Sequence, residues 1–380
     1  MVLDRRFVIT GLGTLAFAAC TQTATPRQLA AQTVEPEFIP IQTPEFLAWV
    51  AQFRSRARNE GISSATLDAA FADAGFIPGV VDRDRNQIQT RRTFEEYLSI
   101  VASDERISKG RAALQQHGVT LRAIEAQYGV DRYIIAAIWG TESFYGERRG
   151  TIPVISSTAT LAFDGRRGSF YESQLIAALK ILQSGDTTAD NLVGSWAGAM
   201  GHTQFIPTSY EGFAVDYTGD GRRDIWSDDP SDSLASTAAY LSRNGWRTGL
   251  KWGAEEGTSG GPQGRVVEPQ AGGVRFVVAH NFDVLKTYNN SDFYALGVGH
   301  LADRIGGAGP LRGSFPPDAN GLTKEDRMAV QRRLLARSYE IGDVDGVIGR
   351  RSVAAISDFQ RRQGIAVTGV ATPDLLARLR

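Results

Sequence analysis

The sequence is poor in the residues that hold metals and disulfides. It has one cysteine, Cys20, and four histidines in 380 residues. One cysteine excludes an intramolecular disulfide and a cysteine-rich metal site. The histidines are scattered and form no pair at helical spacing. This pattern favours structural or surface residues over metal ligands. The formal net charge is only -1, and no charge excess marks the chain as a general nucleic-acid binder.

The N-terminal apolar run, Phe7–Ala19, is too short to cross a membrane and suits an export signal. It follows Arg5-Arg6, which hints at the twin-arginine route. Phe17–Cys20 resembles a bacterial lipobox and predicts lipidation of Cys20. The alternative is plain cleavage after Ala18, which would leave a soluble periplasmic protein.

The remaining 360 or so residues are long enough for two or three domains, by about 150 residues a domain. Apolar residues at helical spacing predict a mainly helical body. Arg265–Val267 and Val274–Val278 are β-like and predict a small hairpin-bearing insertion at about 247–285. The predicted segments are an export signal with a possible lipobox (1–20), a tether (21–42), the body (43–305), a Gly- and Pro-containing linker (306–321) and a compact C-terminal unit (322–380).

Glu142 continues an apolar stripe. A helix that begins near Asp131, a preferred N-cap residue, puts Ile134, Ile138 and Glu142 on one face. Burial raises the pKa of a carboxyl, and a carboxyl protonated near neutral pH can act as a general acid. The alternative is an ordinary Glu that reaches solvent at a helix end, and this segment alone leaves both readings open.

Three further segments combine small, polar and aromatic residues. Residues 195–210 form a small-residue loop that ends in polar and aromatic groups. Residues 216–226 alternate oxygen-bearing residues around a central glycine, as calcium loops do, but Ser227 stands where an EF-hand has Glu. Residues 288–294 carry Tyr and Asn, which suit sugar faces and hydroxyls. Each segment alone is more typical of loop and core than of a site.

Together, these motifs resemble the lytic murein transglycosylases of the membrane-bound type B family. The resemblance covers about Pro44–Ile305 and keeps the family's motif order: Ile138–Ser143, Gly198–Gly201 with Gln204–Pro207, the calcium-like loop, and Tyr288-Asn289. It implies a mainly α, lysozyme-like catalytic fold with a small β insertion, which binds peptidoglycan glycan strands and needs no cofactor for catalysis.

The resemblance also implies a role for particular residues. Glu142 would act first as acid and then as base, so that a 1,6-anhydromuramyl end forms without water. A structural calcium ion is also implied, although this loop is longer than the family's usual form. The implied substrate-binding residues are Ser195, Gln204, Tyr288, Asn289, Tyr294, Arg166 and Arg167, and the implied metal ligands are Asp216, Thr218, Asp220, Arg222 and Asp232. For the two arginines, a solvated charged loop is an equal alternative.

The C-terminal unit resembles the small three-helix peptidoglycan-binding domain of many wall enzymes. Asp345-Gly346 and Phe359-Gln360 carry this resemblance. Residues 322–380 have 11 Lys and Arg against 7 Asp and Glu, which suits an anionic polymer. Some versions of that domain bind zinc through histidines; this unit has no histidine, so we expect no metal there.

Two other functions remain open from the residues. A muramidase-type hydrolase would need a second carboxylate or a positioned water near Glu142, and Asp164 is the nearest candidate in sequence. A non-catalytic wall-binding protein would be expected to have lost the acid, which is present. The sequence thus predicts a monomeric periplasmic enzyme, anchored to the outer membrane through Cys20, that acts on peptidoglycan and not on nucleic acid.

Overall fold

The computed structural model describes residues 36–86 and 92–380. The export segment, Cys20 and most of the tether lie outside the described residues. Within the described part of the chain, no helix is long and apolar enough to span a membrane.

The first part of the body is a series of short helices with local start signals. Thr43, Ser63 and Ser103 each accept a backbone N–H at a helix start, and Thr93 forms a full capping box with Glu96. These signals explain why the helices begin where they do. The elements are a 3-10 helix (Pro36–Phe38) and the helices α1 (Pro44–Asn59), α2 (Ser64–Phe71), α3 (Pro78–Arg85), α4 (Phe94–Val101), α5 (Asp104–Gln116), α6 (Gly118–Tyr128) and α7 (Arg132–Ser143).

The second part of the body adds four helices and two strands of two residues each. The strands pair antiparallel through Ile152 with Gly194 and Pro153 with Val193. This pairing brings the loop after residue 194 close to the start of α8. The elements are β1 (Ile152–Pro153), α8 (Val154–Asp164), α9 (Gly168–Ser184), β2 (Val193–Gly194), α10 (Pro207–Phe213) and α11 (Ser231–Arg243).

The predicted β insertion is a three-stranded antiparallel sheet. Its strands are β3 (Gly253–Glu255), β4 (Arg265–Val267) and β5 (Phe276–Val278), in the order β3-β5-β4. The sequence predicts the β4–β5 hairpin but not β3, which is three residues long and has no alternating pattern. Helices α12 (His280–Tyr288) and α13 (Asp292–Ile305) follow. The mainly α fold with a small β insertion is confirmed.

Helix α7 lies inside the body. It packs against α5, α6, α11 and α13. Ile134, Ile135 and Ile138 are buried in the larger hydrophobic core, together with residues of those neighbours. Burial of this apolar face fixes the helix, and therefore fixes the position of the residues at its C-terminal end.

The C-terminal unit has three helices, as predicted: α14 (Lys324–Leu335), α15 (Arg350–Arg362) and α16 (Pro373–Arg378). Its own core includes Val330, Leu334, Ile356, Phe359 and Leu375.

The segment 306–321 contains no helix or strand, which is typical of a linker. However, it packs against the body. Phe315 makes an edge contact with Phe94 of α4, with ring centroids 6.0 Å apart. The backbone N–H groups of Arg312 and Gly313 both donate to the carboxylate of Glu255, at 2.9 and 2.8 Å. We therefore call residues 306–321 the strap.

Arg327 joins the C-terminal unit to the body. Only 2% of this residue is exposed. Its guanidinium donates to the Glu95 carboxylate of α4, to Asp318 Oδ2 of the strap at 3.2 Å, and to the carbonyl oxygen of Gly346 at 2.7 Å. The sequence suggests two independently folding units, whereas the structure gives them a shared, buried ion pair.

Candidate active site

Helix α7 begins as the sequence predicts. Asp131 is its N-cap and accepts the N–H of Tyr133 at 2.7 Å. Glu142 lies one residue before the helix ends and is partly exposed, whereas Ile138, one turn earlier, is buried. The carboxyl is therefore reachable from solvent while most of its surroundings are protein.

A strained turn follows the helix. Phe144 and Tyr145 both have left-handed backbone angles, φ 56° and 61°, which cost energy for residues with a side chain. The Ser143 hydroxyl accepts the N–H of Gly146 at 2.9 Å and stabilises the turn. The Tyr145 ring folds back onto α7, and a Cβ at Gly140 would lie 2.5 Å from Tyr145 Cζ. Only glycine at position 140 leaves room for this ring.

We expect Gly140→Ala to destabilise the protein by about 1–3 kcal/mol, because the added methyl displaces the Tyr145 ring and strains the end of α7. The measurement is the free energy of unfolding from urea denaturation. Gly212→Ala in α10 is the matched control, because a Cβ there meets nothing within 4 Å. Equal stability of the two variants would contradict the packing argument.

Among the described residues, Glu142 has one side-chain hydrogen-bond partner. Tyr294, at the start of α13, donates its hydroxyl to Glu142 Oε1 at 2.7 Å. The ring of Tyr294 is stacked on that of Tyr288, with centroids 6.3 Å apart and planes 5° from parallel. Two of the predicted substrate residues thus lie beside the predicted acid, although they are more than 140 positions away in sequence.

Burial raises the pKa of Glu142 to about 7, and the hydrogen bond from Tyr294 partly opposes this rise. Burial also raises the pKa of Tyr294 well above its ordinary value, so this phenol keeps its proton and can only donate to the carboxylate. Near neutral pH, Glu142 is therefore populated in both its acid and its base form.

The loop 195–205 is fixed against α7. Ser143 Oγ donates to the carbonyl oxygen of His202 at 2.5 Å, and Trp139 Nε1 donates to His202 Nδ1 at 3.2 Å. Burial lowers the pKa of His202 to about 4, so the ring is neutral and serves as an acceptor. Met200 and Phe205 form a further bridge across the loop.

Three predicted substrate residues have structural contacts in and near this loop. The Ser195 hydroxyl accepts the N–H of Ala199 at 3.1 Å. Gln204 has a left-handed backbone, φ 55°, and its amide donates to the carbonyl oxygens of Arg149 and Gly201. Tyr288 donates its hydroxyl to the carbonyl oxygen of Thr203 at 2.7 Å. These bonds fix the loop, and the sugar-binding roles stay predictions.

The described contacts of Asn289, Arg166 and Arg167 do not involve Glu142. Asn289 is exposed just after α12. Arg166 and Arg167 both ion-pair with the buried carboxylate of Asp84 in α3, at 2.5 and 2.8 Å. The arginines are therefore anchored rather than forming a freely solvated loop, and nothing in these contacts brings them to Glu142.

The calcium-like loop closes through its own hydrogen bonds. Asp216 accepts the backbone N–H groups of Gly219 and Gly221, at 2.6 and 2.8 Å. Asp232 accepts those of Thr218 and Asp224, at 3.0 and 2.9 Å. The oxygen donors suit calcium chemically. The described residues contain no group of three or more His, Cys, Asp or Glu placed to hold a metal ion, and the calcium site stays a prediction.

Sequence reasoning missed Tyr97 and His202. Burial and the nearby Glu142 carboxyl together raise the pKa of Tyr97, which places this α4 residue close to the acid. No local signal identifies Tyr97. His202 lies inside a loop that the sequence does single out, but its bond to Trp139 depends on how α7 packs.

Two family comparisons cover most of the chain. The Transglycosylase SLT domain family matches residues 45–265 and 254–303. The peptidoglycan binding domain family matches residues 323–379.

Similar proteins with known structures or curated names agree with these matches. SltB3 from Pseudomonas aeruginosa is 42% identical, with a TM-score of 0.69, and the match covers 89% of this chain and 100% of that one. SltB1 from the same organism is 31% identical, with a TM-score of 0.61, over 68% of this chain and 98% of that one.

The membrane-bound lytic murein transglycosylase B of Escherichia coli (strain K12) is 35% identical over 154 residues. That match spans 40% of this chain and 42% of the curated relative. The chain is therefore a member of the lytic transglycosylase family with an SLT domain, and it carries a C-terminal peptidoglycan-binding domain.

Proposed function

We propose that this protein cleaves the bond between N-acetylmuramic acid and N-acetylglucosamine in peptidoglycan and leaves a 1,6-anhydromuramyl end. Family membership supports the reaction class. The relative SltB3 was solved in complex with NAG-NAM-pentapeptide and with NAG-anhNAM-pentapeptide. The observation that carries the proposal is the Glu142 carboxyl, partly exposed, bonded to Tyr294 and with its pKa raised to about 7.

The reaction needs one group that first gives and then takes a proton. Protonated Glu142 gives its proton to the glycosidic oxygen as the bond from C1 to that oxygen breaks. An oxocarbenium- or oxazolinium-like species forms at C1. The Glu142 carboxylate then removes the proton of the muramyl C6 hydroxyl as O6 bonds to C1. Glu142 ends the reaction protonated, as it began, and no water or cofactor is consumed.

A pKa near the working pH suits a group with both duties. Tyr294 stabilises the carboxylate form by donating to Oε1, so the acid is not held protonated after the first step. The stacked Tyr288 and Tyr294 rings border the carboxyl. Tyr294 is only 4% exposed, so Tyr288, which is partly exposed, is the ring that would meet the apolar face of a sugar. Ser195, Gln204, Asn289, Arg166 and Arg167 complete the proposed glycan contacts.

The hydrolase alternative finds little support. Hydrolysis of this type normally uses two carboxylates flanking the bond. Asp164 ion-pairs with Arg85 at the end of α8, and the raised pKa of Glu142 has burial as its cause rather than a neighbouring carboxylate. A non-catalytic wall-binding role leaves the raised pKa of Glu142 without a use.

The mass of the released muropeptides distinguishes a transglycosylase from a hydrolase and from a binding protein. We expect purified sacculi treated with the protein to release muropeptides that are one water lighter than the products of a hydrolase. Products with hydrated reducing ends would identify a hydrolase, and no release at all would identify a binding protein.

The proposed location is the periplasm, with Cys20 lipidated and attached to the outer membrane. We expect the wild-type protein to partition into detergent and Cys20→Ala to move it to the aqueous phase. Conservative replacement of Arg5 and Arg6 by Lys tests the export route separately. Identical partitioning of the wild type and Cys20→Ala would show that Cys20 does not anchor the protein to the membrane.

We also propose that the loop 216–232 binds a structural calcium ion, with Asp216 and Asp220 supplying carboxylate oxygens. An ion that binds only the folded state raises the melting temperature. We expect added calcium to raise it and a chelator to lower it, with Asp220→Asn insensitive to both. If neither treatment changes the wild-type melting temperature, the loop is held by its hydrogen bonds alone.

A further inference from the structure

His202 connects three segments around the candidate active site. Its backbone carbonyl oxygen accepts a hydrogen bond from Ser143 Oγ at 2.5 Å, and its Nδ1 atom accepts one from Trp139 Nε1 at 3.2 Å. Its Nε2 atom lies 2.8 Å from the carbonyl oxygen of Ser227. Only 4% of His202 is exposed. This buried residue therefore joins helix α7, the loop 195–205 and the segment that follows the calcium-like loop.

The hydrogen bonds of the ring define which nitrogen carries the proton. The Trp139 indole N–H can only donate, so Nδ1 of His202 must be unprotonated. In a neutral imidazole the proton is then on Nε2, which donates to the carbonyl oxygen of Ser227. Arg149 Nη1 lies 3.4 Å from Nε2 and donates instead to the carbonyl oxygens of Trp226 and Ser227, at 2.8 Å each. Both ring nitrogens are therefore satisfied, and the ring is fixed in one tautomer and one orientation.

The His202 ring also packs on the turn that ends α7. A Cβ at Gly146 would lie 2.6 Å from His202 Nδ1, so only glycine leaves room for the ring. The two preceding residues have left-handed backbones, and such strain persists only where the surrounding structure holds it. Glu142 lies between Trp139 and this turn, and His202 contacts both. The ring is therefore placed to control where the end of the helix lies.

We propose that His202 is a positioning residue, which holds the end of α7 and the Glu142 carboxyl in a fixed place relative to the loop 195–205. Within the proposed function, on which this inference rests, that loop carries Ser195 and Gln204, two of the proposed glycan contacts. The acid and the sugar would then be aligned by one buried side chain that touches neither. A misplacement of about 1 Å in an active site can cost about 10²-fold in rate.

The two ring bonds have different roles in this proposal. The bond from Trp139 acts on the catalytic helix, because Trp139 lies one turn before Glu142. The bond to Ser227 holds the opposite edge of the ring. Loss of the first bond should therefore affect the reaction more than loss of the second.

Three substitutions separate the two bonds. His202→Asn places an amide oxygen near Nδ1 and can still accept from Trp139, His202→Gln places an amide nitrogen near Nε2 and keeps only the bond to Ser227, and His202→Leu keeps neither. We expect kcat on soluble peptidoglycan fragments to fall about 10- to 100-fold in His202→Gln and His202→Leu, and less than about threefold in His202→Asn. KM should stay within about twofold of the wild type in all three, because the substrate contacts remain.

Amide hydrogen exchange of the turn reports the position of the helix end without turnover. The amides of Phe144–Gly146 all donate hydrogen bonds within the end of α7 and its turn. We expect them to exchange about tenfold faster in His202→Leu, while the amides of α15 keep the wild-type rate. His280→Leu is the matched control, because the His280 ring also bonds a backbone carbonyl, that of Gly245 at 2.8 Å, but at the start of α12. The control should keep both kcat and the exchange rate of the turn.

An unchanged kcat in His202→Leu, or an equal fall in all three variants, would overturn the inference. Exchange that is no faster in the turn than elsewhere in the chain would also overturn it, because His202 would then contribute only general stability. If the wild type leaves hydrated ends, the proposed reaction fails, whereas the kcat and exchange comparisons still decide the role of His202.

Discussion

Replacing Glu142 with Gln should lower the release of anhydro-muropeptides from purified sacculi by about 10²- to 10⁴-fold, the usual contribution of general acid–base catalysis. Gln keeps the size of the side chain and can still accept the hydrogen bond from Tyr294, but it has no proton to give to the glycosidic oxygen. The measurement is the initial rate of release, quantified by chromatography.

Glu147→Gln is the matched control, because Glu147 is exposed, pairs with Lys109 and lies outside the proposed site. The control should retain nearly full activity. If Glu142→Gln also released product at a near-normal rate, Glu142 would not be the acid.

The same substitution has a thermodynamic signature. Burial raises the pKa of Glu142 from 4.5 to about 7 in the folded protein. Below pH 4.5 the carboxyl is protonated in both the folded and the unfolded chain, and its ionisation costs no stability. As the pH rises from 4.5 to about 7, the unfolded chain ionises more readily, so the wild type loses stability, by about 1–3 kcal/mol in total. Glu142→Gln should not show this loss, and identical pH profiles of unfolding for the two proteins would show that the pKa of Glu142 is not raised.

Replacing Arg327 with Met should destabilise the whole protein by about 3–5 kcal/mol, because it leaves the Glu95 carboxylate buried without its partner. Arg327 is 2% exposed; it pairs with Glu95 of the body and Asp318 of the strap, and it also donates to the carbonyl oxygen of Gly346 within its own unit. The measurement is chemical denaturation followed by tryptophan fluorescence.

Arg361→Met is the control for loss of an arginine, since the Arg361 side chain is 65% exposed. The double variant Glu95→Gln with Arg327→Met should recover part of the loss, because no unpaired charge remains. A stability of Arg327→Met equal to that of the control would mean that the ion pair does not hold the units together.

The buried pair of Arg327 and Glu95 also affects how the activity of a protein truncated by residues 322–380 must be interpreted. A tether with its own fold could be removed without affecting the body. Here removal leaves the buried Glu95 carboxylate without its Arg327 partner. A truncated protein should therefore carry Glu95→Gln, so that a fall in activity can be assigned to lost wall binding rather than to lost stability.

Local signals predicted the elements that hold the site. The N-cap Asp131 and the stripe of Ile134 and Ile138 predict helix α7, with Glu142 on the same face. These features depend on residues a few positions apart, where helix geometry sets the spacing. The three helices of the C-terminal unit were predicted from its resemblance to the small peptidoglycan-binding domain.

Long-range contacts could not be predicted in this way. Tyr294 and Glu142 are separated by 152 positions, and Arg327 and Glu95 by 232. Each pair meets only because helices pack, and one sequence does not show which faces meet. The strap illustrates the same limit: its glycines and prolines indicate irregular backbone, but not that Phe315 would pack on α4.

The most direct test of the proposed mechanism is digestion of purified sacculi in water labelled with oxygen-18, followed by mass spectrometry of the released muropeptides. The proposed mechanism gives muramyl ends that are one water lighter than hydrolysed ends and contain no label, because O6 of the same sugar bonds to C1 after Glu142 takes its proton. Labelled oxygen at C1 of the released muramyl residues would contradict it, because water would then be the attacking group.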